Sequence, residues 1–209
     1  MQKARIDHLV YATPDLERGI REIEDLLGIS AMLGGQHPGR GTQNALIALG
    51  ADAYLEIIGP DPSQPPPASP RSFGIDQLDA SRLVTWAVKT DDVDQVRRDA
   101  AANGIPLGEA RAGSRQRADG ILLSWRSTEP TGDPRNGIIP FFIDWGQSPH
   151  PSRTAPEGAS LVALRAEHPD DERVRRALRL LDLDMPVTNG AEARLIALVD
   201  GRRGRVELH

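Results

Sequence analysis

The chain has 209 residues, which is enough for one large domain or two small ones. Hydrophobic residues make up 39% and charged residues 26%, as in an ordinary globular protein, so a hydrophobic core can form. There are no cysteines, which excludes disulfides, thiolate metal sites and a cysteine nucleophile. The net charge of −5 argues against a nucleic-acid partner, which is usually met by a basic surface.

The first residues of the chain lack the apolar segment of a signal peptide. No apolar run approaches the roughly 20 residues that a membrane-spanning helix needs. Together with the lack of cysteine, these features predict a cytoplasmic protein with no membrane partner.

Three segments of the chain repeat one order of signals: a strand, a helix entered through Pro or Asp, and further strands. In the first segment, a strand at 6–12 precedes residues 13–15, which supply a helix cap and a proline for the first turn. The helix that follows has apolar residues at helical spacing and ends at Gly28. Strands at 42–49 and 53–58 complete this unit.

The second segment has a strand at 83–89, a helix at 93–102 and strands at 121–126 and 138–145, the last two separated by the turn-rich stretch 130–137. The third segment shows the same order in shorter form. It has a strand at 161–165, a helix entered at 168–170 that ends near Leu181, and a hairpin of strands at 194–199 and 204–208.

These repeats predict an α+β fold of tandem βαβββ modules with a third C-terminal βαββ-like unit. The predicted divisions are a first module at 1–60, a proline-rich linker at 61–81, a second module at 82–147, a linker at 148–158 and a degenerate third module at 159–209. The alternative is a plain α+β sandwich whose units match by chance.

Five local stretches sharpen this prediction: DHLV at 7–10, HPGRGTQNAL at 37–46, YLEIIGPDP at 54–62, DGILLSWR at 119–126 and PFFIDWG at 140–146. With them the chain resembles the glyoxalase-like proteins of the vicinal oxygen chelate superfamily. The resemblance implies that the two modules pair to form a cup-shaped sheet around a cavity. It also implies metal ligands on the first and last strands of each module, holding a divalent ion that binds two neighbouring substrate oxygens.

Carried over to this chain, the resemblance places His8 and Glu56 at the ligand positions of the first module and Thr85 and Asp144 at those of the second. His8, Glu56 and Asp144 predict a site of one imidazole and two carboxylates for Zn, Fe, Mn or Ni. Thr85 departs from the pattern, which leaves metal dependence open. Alternatively, Glu56 stays unligated and acts as a catalytic general base, since a carboxylate among apolar residues is costly unless paired.

The predicted substrate-binding residues are Asn44, Trp125, Arg126 and Trp145. Trp125 and Arg126 point to opposite faces of their strand, so one of the two can face the cavity. Trp125 would supply a flat apolar wall, and Arg126 an anchor for a carboxylate or phosphate. Asn44 would hydrogen-bond a polar group of the substrate.

Several polar residues have a structural interpretation beside the functional one. His8 is equally typical of a hydrogen-bonded core residue, and Asp144 of a cap for the turn at Gly146. His37 and His150 lie beside prolines in predicted loops, where histidines are usually solvated. The polar run at 115–119 is predicted to form a flap over the cavity.

Two functions of different classes follow from these residues. The first is a divalent-metal-dependent lyase, isomerase or ring-opening dioxygenase that acts on a small oxygenated molecule. The second is a non-catalytic module that sequesters a small aromatic compound, as drug-resistance proteins of the superfamily do. Thr85 and the three tryptophans favour this second function. The third unit is expected either to cover an open sheet edge or to pair with another subunit in a homodimer.

Overall fold

The computed structural model of the protein describes residues 5–105, 107–117, 120–129 and 137–209. The first four residues, most of the turn-rich stretch 130–137, and residues 118–119 of the predicted flap therefore lie outside the described residues.

The first repeat unit contains five elements: β1 (Ile6–Ala12), α1 (Leu16–Leu27), β2 (Met32–His37), β3 (Thr42–Ala48) and β4 (Tyr54–Pro60). Helix α1 begins where the sequence predicts, because the Asp15 side chain accepts a hydrogen bond from the Arg18 backbone N–H. It ends at Gly28, which adopts the left-handed conformation at φ 70° that glycine tolerates best.

The second unit repeats this order with β5 (Arg82–Lys89), α2 (Val93–Ala102), β6 (Ala110–Gln116), β7 (Leu122–Thr128) and β8 (Phe141–Asp144). Asp92 caps α2 as Asp15 caps α1, by accepting from the Gln95 N–H. Strands β2 and β6, which carry no clear alternation of apolar and polar residues, complete the two βαβββ units.

The eight strands of the two units form one closed barrel in the order β1-β4-β3-β2-β6-β7-β8-β5. The units meet twice, through the antiparallel pair β1–β5 and through the antiparallel pair β2–β6. The predicted α+β fold, with two βαβββ modules curled around a cavity, is therefore confirmed, and the plain sandwich is not formed.

Alternation along the strands divides the apolar residues between two layers. Val10, Leu46 and Ile58 belong to a cluster on the inner side of the barrel. Their sequence neighbours face outward into a larger cluster, where Leu9 and Ile57 pack with residues of α1 and of the third unit.

The third unit has β9 (Ser160–His168), α3 (Asp171–Leu180), β10 (Val187–Asn189), β11 (Arg194–Gly201) and β12 (Gly204–Leu208), in a separate sheet of order β10-β9-β11-β12. Its β11–β12 turn caps α1, because the Arg202 N–H donates to the Leu27 carbonyl oxygen at 2.8 Å. The Leu83 N–H of β5 donates to the His209 carbonyl oxygen at 3.1 Å. The prediction that this unit covers an open edge is wrong, since the barrel is closed; the unit covers outer faces of α1 and β5.

The segment predicted as a proline-rich linker at 61–81 also has a defined place. It contains a short 3-10 helix at Ser72–Gln77. Arg71 fastens this segment to the barrel by donating from Nε to the Gly41 carbonyl oxygen at 2.8 Å. Pro70 and Phe73 line the central cavity, so the segment forms part of its wall.

Within the described residues, none of the three helices combines the length and apolar character that crossing a bilayer requires.

Candidate functional site

The barrel encloses a cavity of about 360 Å³, towards the lower end of the range found for small-molecule sites. Both modules contribute to its wall. Its polar lining residues include His8, His37, Asn44, Glu56, Thr85 and Arg115, and its aromatic ones include Tyr54, Phe73, Trp125, Phe141 and Trp145.

A buried carboxylate orients His8. Asp7 has no partner in the β1–β5 register, where a bulge separates Ile6 from His8. Its side chain is fully buried, and Asp7 Oδ1 accepts a hydrogen bond from His8 Nδ1 at 2.6 Å. Asp7 Oδ2 accepts from Trp145 Nε1 and His150 Nε2, both at 3.0 Å.

Burial alone would raise the pKa of Asp7, but the hydrogen bonds from His150 and His8 outweigh it. The pKa of this carboxyl therefore lies well below its usual value, and Asp7 stays ionised. Because a carboxylate acts here as an acceptor alone, His8 Nδ1 carries a proton and donates it to Asp7 Oδ1. His8 Nε2 is the ring atom left to gain or lose a proton in the cavity, where His8 is one of the lining residues.

Glu56 faces His8 across a short gap, with Glu56 Oε2 at 3.7 Å from His8 Nε2. Its other oxygen, Oε1, accepts a hydrogen bond of 2.6 Å from Asn44 Nδ2. Tyr54 and Ile58, which lie two positions before and after Glu56 on the same face of β4, also line the cavity. This face of the strand therefore points inward, as the alternation predicts. The cavity thus holds an imidazole nitrogen and a carboxylate oxygen side by side.

His37 lies at the end of β2, close to Glu56. Its Nδ1 is 3.0 Å from Thr42 Oγ1, and its Nε2 is 3.5 Å from Asn44 Nδ2 and 3.9 Å from Glu56 Oε1. Burial lowers the pKa of His37 to about 4, although the Glu56 charge opposes that shift. His37 is therefore neutral at physiological pH, in contrast to the solvated loop histidine that its neighbouring proline suggests.

This buried, neutral histidine predicts a pH dependence of stability. Because the folded pKa is near 4 and the unfolded one near 6.5, the unfolded chain binds more protons between these values. Stability should therefore fall as pH decreases from 6.5 to 4, by about 3 kcal/mol for this one group. Urea denaturation should show a smaller fall over this interval for His37→Gln than for the native protein. Parallel curves for the two proteins would contradict the assignment.

The side chains of Trp125 and Arg126 lie on opposite faces of β7, as alternation requires. Trp125 lines the cavity, with its ring centroid 5.3 Å from that of Trp145, which also lines it. Arg126 lies on the outer face and donates from Nη1 to Asp94 Oδ2 at 2.7 Å. The structure therefore does not bring Arg126 to the predicted substrate site.

Asp144 is also absent from the cavity wall. Phe141 and Ile143 of β8 face inward, as does Trp145 directly after the strand, so Asp144 faces outward. Its Oδ1 accepts from the Gly146 N–H at 2.8 Å and caps the turn that follows the strand. The predicted group of His8, Glu56 and Asp144 is not formed.

The remaining residues do not fit a resident divalent metal. No group of three histidine or carboxylate side chains among the described residues is placed to hold a metal ion. His8 and Glu56 make a pair, but Asn44 lies between Glu56 and His37 and occupies one carboxylate oxygen. Thr85 and the apolar β8 face supply no charged ligand from the second module.

Five polar residues of this site are not among the predicted site residues: Asp7, His37, Thr85, Arg115 and His150. The Thr85 hydroxyl is buried, lines the cavity and has no hydrogen-bond partner among the described residues. Arg115 is buried in β6 and also lines the cavity. A charged residue in the middle of a strand is the one sequence signal that could have marked Asp7 and Arg115, because such residues are rarely buried without a partner.

A closed barrel of two βαβββ units around a polar internal cavity defines a protein of the vicinal oxygen chelate superfamily. The family model described as a glyoxalase-like domain matches residues 6–181, and the chain belongs to this family. The match includes β9 and α3 of the third unit as well as both modules.

Solved structures are similar to this chain at low sequence identity. A hypothetical protein from Staphylococcus aureus is 16% identical, with a TM-score of 0.63, over 97% of this chain and 83% of that one. A variant of Streptomyces coelicolor methylmalonyl-CoA epimerase in complex with 2-nitronate-propionyl-CoA is 18% identical, with a TM-score of 0.48, over 72% and 100%. The Mycobacterium tuberculosis methylmalonyl-CoA epimerase is 19% identical, with a TM-score of 0.45, over 70% and 92%. None of the curated protein sequences matches this chain.

Proposed function

We propose that the protein is an isomerase or lyase that transfers a proton on a small oxygenated molecule, with Glu56 and His8 as its acid–base groups. The observation that carries this proposal is the pair of cavity-facing atoms, Glu56 Oε2 and His8 Nε2, 3.7 Å apart. Each group is positioned by a hydrogen bond to a buried side chain: Asn44 bonds to Glu56, and Asp7 bonds to His8.

Such a pair suits proton transfer at a carbon next to a carbonyl group. One group accepts the proton as the carbon–hydrogen bond breaks, and the electron pair moves to the carbonyl oxygen to form an enolate. Return of a proton from either group to a different face or atom completes an isomerisation. Loss of a leaving group from the enolate instead completes a lyase reaction. Positioned donors near the enolate oxygen would stabilise its charge.

Metal-dependent versions of this chemistry receive less support. A ring-opening dioxygenase needs a metal centre, and the described cavity residues offer the two-member set of His8 and Glu56. The hydrogen bond from the Asn44 amide occupies one oxygen of Glu56 and positions the carboxylate as a base. In this proposal Glu56 is a general base and not a metal ligand.

The experiment that tests the proposal is deuterium exchange in D₂O, followed by NMR, over a panel of 2-oxo acids, 2-hydroxy ketones and thioesters. We expect exchange at the carbon next to the carbonyl for at least one compound. Glu56→Gln should slow it by about 10²- to 10⁴-fold, the usual range for a positioned acid or base. Asp144→Asn, the same type of change at a carboxylate outside the cavity, should leave the rate within about twofold of the native value.

Elemental analysis by ICP-MS on the same untagged, chelator-free samples provides the second readout. Full exchange activity in protein that contains and accepts no Zn, Mn, Fe or Ni agrees with the proposal. An activity that depends on one of these metals, or that is lost in Asp144→Asn as in Glu56→Gln, would restore the metal site predicted from the sequence.

The aromatic wall favours a second candidate, a binding module without chemistry. Trp125, Trp145 and Phe141 give the cavity flat apolar surfaces, whereas Trp86 lies in the outer core. Titration of tryptophan fluorescence with aromatic compounds in EDTA would support this candidate if binding is tight while no compound in the panel exchanges. Exchange with any compound would rule it out.

A further inference from the structure

The geometry points to a small organic carboxylate as the ligand of the cavity, with its carboxylate bound by Arg115 and a further oxygen by Thr85. The identification of this anion as the substrate rests on the proposed function. The binding itself does not, and can be measured separately.

Among the described residues, the buried guanidinium of Arg115 has no carboxylate within ion-pair distance, and Asn44 stands between it and Glu56. The residue is 3% exposed, and none of the ion pairs between described residues includes it. Its one hydrogen bond to a described residue is from Nη1 to Asn44 Oδ1, at 3.4 Å. A guanidinium that has left water without an ion-pair partner is costly in the free protein, and a bound anion would supply that partner.

The fold makes room for this guanidinium. Gly34 and Gly35 lie at a bulge of β2, and Gly35 has a φ of 134° that other residues rarely adopt. A Cβ at Gly34 would collide with Arg115 Nη1 and Asn44 Oδ1, and one at Gly35 would collide with the Gln116 carbonyl oxygen. The consecutive glycines therefore form a recess that holds the Arg115 side chain at the cavity wall.

Thr85 supplies an independent observation from β5, the first strand of the same module. Its Oγ1 is buried without a hydrogen-bond partner among the described residues, and the residue is 3% exposed and lines the cavity. Buried hydroxyls are normally satisfied, so an orphan that faces a cavity marks a place for a ligand atom. A hydroxyl can donate to a carbonyl or carboxylate oxygen of the ligand.

Beside the carboxylate of Glu56, Arg115 is the buried positive charge of the wall. Arg111 is paired with Glu129, Nε to Oε1, at 3.1 Å. Arg40 lines the cavity from an exposed position and adds positive potential. Trp125 and Phe141 lie on the same wall and would contact the organic part of the ligand, so a planar or aromatic carboxylate suits the space of about 360 Å³.

The test compares carboxylates with their uncharged amides by isothermal titration calorimetry. The probes are pyruvate, benzoate, phenylacetate and phenylpyruvate, each paired with its primary amide. We expect at least one carboxylate to bind the native protein at least about 10-fold more tightly than its amide, as a charge-assisted contact requires. Arg115→Met should abolish that preference, and Thr85→Val should weaken carboxylate binding several-fold. Arg205→Met, which changes an exposed arginine paired with Asp200 in the third unit, should keep the preference.

Thermal unfolding separates a ligand anchor from a structural arginine. Replacing a buried charge that has no direct ion pair with an apolar side chain should raise the Tm of Arg115→Met by a few degrees. A lower Tm together with an unchanged carboxylate preference would overturn the proposal. So would the lack of any carboxylate preference in the native protein, a result that does not depend on how the variant folds.

The two proposals fail in different ways. Glu56→Gln should lose isotope exchange and still prefer the carboxylate. A protein that exchanges protons but binds acid and amide equally would contradict the anion site and leave the proton-transfer proposal standing. A carboxylate preference without exchange in any compound would contradict the proton-transfer proposal and leave the anion site standing.

Discussion

Gly137→Ala is expected to destabilise the protein by about 3 kcal/mol or more, the range reached when an added side chain cannot be accommodated in a packed core. A Cβ at Gly137 would collide with the carbonyl oxygen of Val84 and come within 2.8 Å of Thr85 Cβ. Both atoms belong to β5, which is paired with β1 on one side and β8 on the other. The obstacle is backbone within the barrel, so a small rotation of a side chain cannot relieve it.

Urea denaturation of Gly137→Ala beside Gly104→Ala measures this effect. Gly104 has open space around its Cβ position but a φ of 72°, so alanine there should cost about 1 kcal/mol through backbone strain alone. An unfolding free energy for Gly137→Ala equal to that of Gly104→Ala would show that the segment before β8 moves aside. A clearly larger loss agrees with the contact against Val84.

Asp7→Ala is expected to cost about 3–5 kcal/mol, because the buried carboxylate is the acceptor for three side chains. Without it, the donors His8 Nδ1, His150 Nε2 and Trp145 Nε1 lose their acceptor inside the protein. Asp144→Ala is the matched control, since that carboxylate accepts one turn hydrogen bond at the surface. It should cost about 1 kcal/mol or less. Equal losses in urea denaturation would contradict the role assigned to Asp7.

The same carboxylate should make the protein sensitive to acid. Its folded pKa lies below the ordinary value of 3.8, so its contribution to stability is complete above pH 3.8 and is lost as the pH falls from there towards the folded pKa. Asp7→Asn, which keeps the shape but cannot ionise, should lose less stability than the native protein below pH 4. The effect of His37 falls between pH 6.5 and 4, so the two contributions occupy separate intervals.

Strand alternation predicts the inner face of the first module well, because β3 and β4 are regular where the site lies. Asn44 and Glu56 follow directly from it, and the structure places both on the cavity wall. The rule fails at β1, where the bulge turns Asp7 inward and leaves Ile6 packed with the outer core. A bulge depends on the pairing of distant strands, so the local sequence does not reveal it.

The second module shows a different difficulty. Alignment of the repeats puts Asp144 opposite Glu56, yet Ile143 and Trp145 are the residues that face the cavity. A shift of one residue moves every side chain of a strand to the other face, and repeat alignment across an insertion does not determine that phase. The choice between Arg126 and Trp125 as the cavity-facing residue depends on the same phase.

His37 and Arg115 are missed because β2 and β6 do not resemble strands in sequence. β2 contains Gly34 and Gly35, which lower strand propensity, and β6 is largely polar. The glycines that hide the strand are the residues that accommodate Arg115. A feature that serves the site thereby weakens the local signal of the fold.

The two seams between the modules differ in extent, which has a mechanical consequence. β1 and β5 pair from Ile6 to Ala12 with two register shifts, whereas β2 and β6, both within the described residues, pair at Gln36 and Gln116 alone. The β2–β6 seam is therefore the shorter of the two. Glu56 and His8 lie on one side of this seam and Arg115 and Trp125 on the other, so a local opening of the β2–β6 pair would widen the space between the acid–base pair and the wall that faces it.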